Sequence, residues 1–393
     1  MPLFEFTTAN RIIFGAGKLN GLGDQTCPEL SRRVNGRAKR LLLVCGNSSD
    51  AIPRVREILS AQGIPFDEFH VHNEPTIDTA SDGVKLALDC GCDMVIGLGG
   101  GSVLDAGKAI AVLATNRGDV FDYLEVIGKG QALTEAPLPY IAIPTTAGTG
   151  TEVTRNAVLE SPAHKLKISL RSPLMLPTLA LVDPELTYAL PSAITANSGL
   201  DALTQLIEPF VSVKANPMTD AICREGIRHA ARSLRRAYHN GADKFAREGM
   251  SLASLFGGMA LANAALGAVH GFAGPLGGML HAPHGAICAR LLPLVMEANL
   301  KALQSRQPGH VAIERYVEIA QIVTGNKNAS AQDGVKWVSE LVSELKIPSL
   351  SAHGMNESHI PEAVQKTLNT SSYKGNPIPL GEGELRAILE NAL

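Results

Sequence analysis

"DMVIGLGGGSVLDAGKAIAVLA", residues 93–114, decides how the first half of this chain folds. The apolar run from Met94 to Leu98 has the length and β-branched content of a buried strand. Gly97, Gly99, Gly100 and Gly101 then crowd into five positions, and a helical stretch opens near Ser102. Glycines let backbone N–H groups approach an anion closely, and a helix N-terminus adds the positive end of its dipole, so strand, glycine turn and helix together favour a pyrophosphate. The run is not a Walker A loop, since Lys108 lies inside the helix and the G-x-x-x-x-G-K-[ST] spacing is absent. The plainer alternative is a tight turn that needs glycine for sterics alone.

The same alternation continues on both sides. "RLLLVCG" (40–46) and "FDEFHVH" (66–72) read as strands, with a helix through "IPRVREILSAQG" between them, and "LPYIAIPTTAGTGTE" (138–152) as a strand running into a polar loop. Strands alternating with helices predict a parallel sheet covered on both faces. The character changes at "LVDPELTYALPSAI" (181–194), beyond which helical periodicity runs to Leu393, interrupted at "SRQPGH" and "TGNKNAS". The expectation is two domains, an α/β domain over 1–186 and an all-helical domain over 187–393, with the cleft between them the natural place for a site.

Composition narrows the classes. A chain of 393 residues exceeds one ordinary core, and 45% hydrophobic with 19% charged residues is normal for a compact soluble protein. A net charge of -3 with no basic stripe gives no footprint for nucleic acid. Six scattered cysteines (27, 45, 90, 92, 223, 288) point to reduced thiols in a cytoplasmic enzyme, and the C-x-C of Cys90 and Cys92 has no second pair to make a zinc knuckle. "MPLFEFTTANR" lacks the pattern of a secretory signal. "SLASLFGGMALANAALGAVHGF" (251–272) is long enough to span a bilayer, but its small and polar residues favour a central helix buried among other helices, with His270 at its end.

Three stretches carry candidate chemistry. In "PTTAGTGTEVT" (144–154), Thr145, Thr146, Thr149, Thr151 and Thr154 gather hydroxyls after a strand's carboxyl end, where open α/β sheets bind ligands. In "SGLDALTQLIEPF" (198–210), read as a short helix, Asp201 and Gln205 share one face four residues apart, as a solvated stripe or as groups aimed at a metal or substrate. In "GAVHGFAGPLGGMLHAPHGAICARLLP", His270, His281 and His284 stand near turns; two of them with Asp201 would make the three-ligand set of a catalytic zinc, while a lone core histidine is the plainer reading.

These strings resemble, in order, those of the iron-containing (group III) alcohol dehydrogenase family. The resemblance rests on "GGGSVLDAGKA", "PTTAGTGTEVT", "LVDPEL", "GLDALTQLIEPFVS", "VHGFAGPLGGMLHAPHG" and "LLPLVMEAN" and covers essentially the whole chain. It implies a Rossmann-like N-terminal domain, a helical C-terminal domain as in the dehydroquinate synthase-like fold, and hydride transfer between NADP or NAD and a small alcohol or aldehyde. It further implies a divalent metal, iron or zinc, in the interdomain cleft, and a homodimer. By the same resemblance Gly99, Gly100, Gly101, Ser102 and Asp105 form the cofactor turn, Thr145, Thr146, Thr149 and Thr154 the loop around it, and Lys167 a cofactor lysine. Asp201, His270 and His284 match three of four metal ligands, and Gln205 stands where the fourth, a histidine, is expected. Gly274 stands where a further histidine near the nicotinamide is expected, so a proton would leave through water or a cofactor hydroxyl. His281 receives no ligand role. Gly46 ends the "LLLVCG" strand without the carboxylate that repels a 2′-phosphate, which, with Asn47, Ser48 and Ser49 after it, leans towards NADP. The alternatives are a metal-free reductase of the maleylacetate reductase type and a dehydroquinate-synthase-like lyase.

Overall fold

The computed structural model describes residues 3–22, 40–46, 50–164 and 166–393; Cys27 and the Asn47, Ser48 and Ser49 of the NADP argument lie outside them. Eight strands stand among these residues: β1 (Ile12–Phe14), β2 (Leu41–Cys45), β3 (Phe66–His70), β4 (Met94–Gly99), β5 (Tyr140–Pro144), β6 (Asn156–Ser161), β7 (Leu166–Arg171) and β8 (Leu179–Val182). Six form one sheet in the order β1-β8-β5-β4-β2-β3, every pair parallel. Helices α1 (Ala51–Ala61), α2 (Ile77–Asp89) and α3 (Gly101–Leu113) connect its strands.

Burial follows the alternation of side chains along each strand. Leu41, Leu43, Cys45, Ile96 and Leu98 pack with Ile52, Val55 and Leu59 of α1. The intervening Leu42, Val44 and Val95 pack with Val103, Leu104 and Ile110 of α3. Both faces are therefore dry, and β2, β4 and β5 are buried throughout. The chain leaves β2 towards β3 on one side and returns to β4 on the other, so the strand order reverses between β2 and β4. That reversal is the crevice where doubly wound sheets bind ligands, and Gly99–Gly101 closes β4 at this point.

The sequence reading missed β1, the four-residue β8 and the antiparallel β6–β7 hairpin. β1 is three residues long, too short for a periodic signal, and "NAVLES" and "LKISLR" are half-exposed strands with weak apolar content. The hairpin's inner residues Ala157, Leu159, Ile168 and Leu170 join a third core with α2 and α3.

After β8 only helices follow: α5 (Ser192–Val211), α6 (Pro217–His239), α7 (Lys244–Ala264), α8 (Ala268–Leu280), α9 (His284–Arg306), α10 (Val311–Thr324) and α11 (Ala331–Glu344) lead to two shorter ones, Ile360–Leu368 and Glu382–Glu390; the four-residue α4 (Val120–Tyr123) lies earlier. Asp201 thus sits on a 20-residue helix, not the short one the sequence suggested. The contacts divide the chain into an α/β unit, Thr8–Thr146 with Thr151–Ala189, and a helical unit comprising Met1–Thr7, Ala147–Gly150 and Leu190–Leu393. Two N-terminal pieces thereby fall in the helical unit, unlike the continuous 1–186 expected. The cause is local: a Cβ on Gly150 (φ +59) would lie 2.5 Å from the Cα of Gly258, and Asn263 bonds both the N–H and the carbonyl of Thr7.

The stretch 251–272 is not one helix. It breaks between α7 and α8, which meet at 100°, and His270 lies in the first turn of α8 rather than at a helix end. Ala265 takes a left-handed φ of 62° at the break. Among the described residues no single helix is long and apolar enough to cross a membrane.

Candidate active site

In the α/β unit, the helix α3 begins at Gly101 with Gly100 as its extended N-cap, so the N–H groups of its first turn have no partner within the helix. A Cβ on Gly99 would lie 2.6 Å from the Cβ of Val103, so that glycine is required by close packing as well as by any anion. Thr145 is tied to the turn through its own N–H, which donates to the Gly99 carbonyl at 2.9 Å, and a Cβ on Gly100 would touch the Thr146 methyl at 3.3 Å. Thr145 and Thr146 therefore stand at the glycine turn. Thr149 belongs to the segment grouped with the helical unit.

Thr154 and Asp105 meet a different neighbour. Lys108, 1% exposed, shares its three Nζ–H groups among four acceptors at 2.7–3.0 Å, the Thr151 carbonyl and hydroxyl, the Thr154 hydroxyl and the Asn156 carbonyl. Asp105 accepts from the Thr151 hydroxyl and, at 3.0 Å, from the Val158 N–H. Together they form a buried staple that fixes the end of the threonine loop against α3. Lys167, on β7, pairs with Glu74 at 3.3 Å.

The staple has a pH signature. Burial pushes the neighbouring Glu152 carboxyl up to about 7, against the opposing pull of its own backbone N–H and of Lys108, and burial brings Lys108 down to about 8. A raised folded-state pKa for Glu152 means that the folded chain binds the extra proton between its ordinary value of 4.5 and about 7. Stability from this group is thus complete below 4.5 and is lost as pH rises through 7, while Lys108 acts in the window above 8. Urea unfolding at intervals from pH 4.5 to 7 should show the Glu152→Gln protein gaining on the parent by up to about 3 kcal/mol. Parallel pH profiles for the two would count against a buried, proton-binding Glu152.

At the end of β2, Gly46 carries no carboxylate, and His70 Nδ1 lies 3.4 Å from its carbonyl oxygen. Glu68 is engaged by Arg56 through two bonds of 2.6 Å.

In the helical unit, α5, α8 and α9 bring four donor side chains together. Asp201, His270, His284 and Cys288 each offer one ligand atom, and these atoms all lie within 4.8 Å of one another. Asp201 is 1% exposed and His270 6%, whereas His284, the first residue of α9, is 32% exposed and leaves that side open. Asp201 Oδ1 stands 3.5 Å from His270 Nε2 and 3.7 Å from His284 Nε2, too far for good hydrogen bonds, and it is buried without a partner. A tetrahedral ion with bonds of about 2.0–2.3 Å sets its ligand atoms about 3.3–3.8 Å apart. The orphaned carboxylate oxygen and these separations fit a divalent cation.

The electrostatics agree. Burial opposes the charge of Asp201, but the nearby His270 and His284 imidazoles outweigh it and hold the pKa below the usual carboxylate value. Burial also opposes a charged His270, yet Cys288, Asp201 and Glu208 hold its pKa well above that of an ordinary histidine. The surroundings therefore favour positive charge at this point.

Two further side chains shape the cluster. Gln205 donates its amide N–H to Asp201 Oδ2 at 3.1 Å and so orients the carboxylate, while its own Oε1 is buried without a partner. Glu208, two turns after Asp201 and buried, accepts the Val269 N–H and the His270 Nδ1–H, both at 2.7 Å. It caps α8 from outside the helix and leaves His270 Nε2 with its lone pair free for a ligand bond. Sequence reasoning missed Glu208 and Cys288. Their signals were present, since Glu208 continues the Asp201–Gln205 face and Cys288 lies four residues after His284. A Cβ at Gly274 would meet nothing within 4 Å, so open space stands where the resemblance implies a histidine, and His281 occupies a left-handed turn (φ 51°) after α8.

Comparison with known proteins gives concordant matches along the whole chain. The family described as iron-containing alcohol dehydrogenase matches residues 9–184, and the C-terminal domain of the Fe-containing alcohol dehydrogenase family matches 195–393. The long-chain-alcohol dehydrogenase 1 of Geobacillus thermodenitrificans is 36% identical over 395 residues, covering 97% of this chain and 96% of that protein. The crystal structure of a 1,3-propanediol oxidoreductase superposes with a TM-score of 0.90 at 34% identity over all of both chains. The sulfoacetaldehyde reductase of Bifidobacterium kashiwanohense, solved in complex with NAD+, does so with a TM-score of 0.86 at 25% identity over 100% of this chain and 99% of that one.

Proposed function

The chain belongs to the iron-containing alcohol dehydrogenase family and is an oxidoreductase acting on alcohols; on that premise we propose that it interconverts a small alcohol and its aldehyde with NADP or NAD and a divalent ion, iron or zinc. The observation that carries the metal part is the buried, unpartnered Asp201 Oδ1 facing two imidazole nitrogens. When bound, a divalent ion supplies Lewis acidity to an alcohol or carbonyl oxygen, and a nicotinamide accepts or gives the hydride. Asp201, His270 and His284 would hold the ion. Glu208 keeps His270 in the ligating tautomer, and Gln205 keeps Asp201 turned towards the imidazoles. The free N–H groups at the start of α3 would take the pyrophosphate, with Ser102, Thr145 and Thr146 at the same turn. The NAD+ bound by the related sulfoacetaldehyde reductase supports a nicotinamide here. A cytoplasmic homodimer belongs to the same reading, supported by the five free cysteines among the described residues and by the exposed apolar Leu3 and Phe4.

Elemental analysis of protein purified without chelators, alongside a panel of alcohols and aldehydes with NADPH and NADH, tests the proposal. One equivalent of divalent metal and a nicotinamide absorbance change are expected. Full activity without metal would leave the metal-free reductase, and no absorbance change with any substrate would leave the lyase.

Gly46 supports NADP as the preferred form. A side chain fits there, because an added Cβ would make only ordinary contact with Val103 at 3.7 Å. Gly46→Asp should lower kcat/KM for NADPH by about tenfold, close to 1.4 kcal/mol, with NADH affected less. An unchanged NADPH/NADH ratio would remove Gly46 from the specificity argument.

A further inference from the structure

We propose that Cys288 is the fourth protein ligand of the metal, binding through its sulfur as a thiolate. The inference rests on the proposal that Asp201, His270 and His284 hold a divalent ion, and it changes the chemistry of that ion.

Cys288 lies one turn into α9, and His284 is the first residue of that helix, so the two project from one face. Its Sγ stands 3.6 Å from His284 Nε2 and 3.8 Å from His270 Nε2. These are the separations that an ion with bonds of about 2.0–2.3 Å imposes on a nitrogen–sulfur pair. Each imidazole nitrogen therefore faces both Asp201 Oδ1 and Cys288 Sγ. A buried cysteine alone is more often a small apolar filler. Here the independent sign of a ligand is Asp201 Oδ1, buried in the same cluster with no hydrogen-bond partner. Gln205, whose amide N–H is turned to Asp201 Oδ2, also has a buried Oε1 without a partner, but a neutral amide oxygen is a poorer ligand for zinc or cobalt than a thiolate.

Ligation breaks the Sγ–H bond, releases that proton to solvent and forms the Sγ–metal bond. Asp201 and Cys288 would then bring two negative charges to a divalent ion. A soft thiolate with imidazoles selects zinc or cobalt over harder, oxygen-seeking cations. The half-open side at His284 remains the approach for substrate.

Cobalt(II) is the probe. Protein stripped with a chelator and loaded with one equivalent of cobalt should show visible ligand-field bands and an intense near-ultraviolet thiolate-to-cobalt band. In Cys288→Ser the visible bands should persist, the near-ultraviolet band should vanish, and cobalt affinity should fall by about tenfold or more. Cys45→Ser controls for the other cluster of donors, Cys45, Glu68 and His70, and should leave the band in place. Tight cobalt binding without the near-ultraviolet band, or a band that survives Cys288→Ser, overturns Cys288 ligation while sparing the three-ligand site. Failure of the parent to bind cobalt at all overturns both.

Discussion

Asp201→Asn should abolish turnover, with kcat lower by about three powers of ten, while leaving coenzyme binding intact. Lewis-acid stabilisation by a bound ion is worth several kcal/mol, and each 1.36 kcal/mol is about tenfold in rate. Asparagine preserves the shape of Asp201 and keeps an oxygen for the Gln205 N–H, so the helix has no steric reason to move. What changes is the atom facing His270 and His284. An anionic ligand becomes neutral, and the cluster loses the only carboxylate among its four donors. Metal content after gel filtration should drop to near zero, and NADPH titration followed by fluorescence should give the parent's Kd. Turnover within tenfold of the parent would show that no metal-assisted step passes through this cluster.

Glu208→Gln should weaken metal binding by about 10- to 100-fold, the usual cost of losing a carboxylate behind a ligating histidine. The reason is proton placement. Glu208 accepts two N–H groups, from Val269 and from His270 Nδ1, and a carboxylate can only accept. A carboxamide has one accepting oxygen. If that oxygen keeps Val269, the amide N–H faces His270 Nδ1 and drives the ring proton to Nε2, the atom that should hold the metal. If it turns to His270, two N–H groups confront each other at the buried start of α8. Competition with a chromophoric chelator measures the loss, and excess metal should restore part of kcat. Undiminished affinity would mean that His270 does not ligate through Nε2.

Much of this arrangement could be read along the chain. The apolar run, the glycines and the helix of residues 93–114 announced a strand, a turn and a helix because each signal is local and strong. The match to the iron-containing alcohol dehydrogenases rested on such local strings, and the full-length comparisons bear it out. Asp201, His270 and His284, far apart in sequence, lie in one cluster of donor atoms. The threonines were less legible, since a hydroxyl looks the same in sequence whether it faces a cofactor or a buried lysine. Lys108 draws Thr151 and Thr154 into the core, and nothing near Lys108 in sequence announces that use.

The break between α7 and α8 shows where sequence stops deciding. "ALANAALGAVHGF" contains no proline and few signals against a continuous helix, and periodicity carries straight through it. Ending a helix inside a core is costly unless the freed N–H groups find acceptors. Those acceptors are Asn376, which takes the Ala268 N–H, and Glu208, which takes that of Val269, both distant in sequence. The sequence by itself determined the parallel α/β alternation, the glycine turn, the family and three donors of the cluster, because each is written in a few consecutive residues. Only the tertiary structure placed His270 at the start of a helix, put Glu208 behind it and set Cys288 beside it, because an unpaired donor or acceptor is satisfied by whatever the fold brings near.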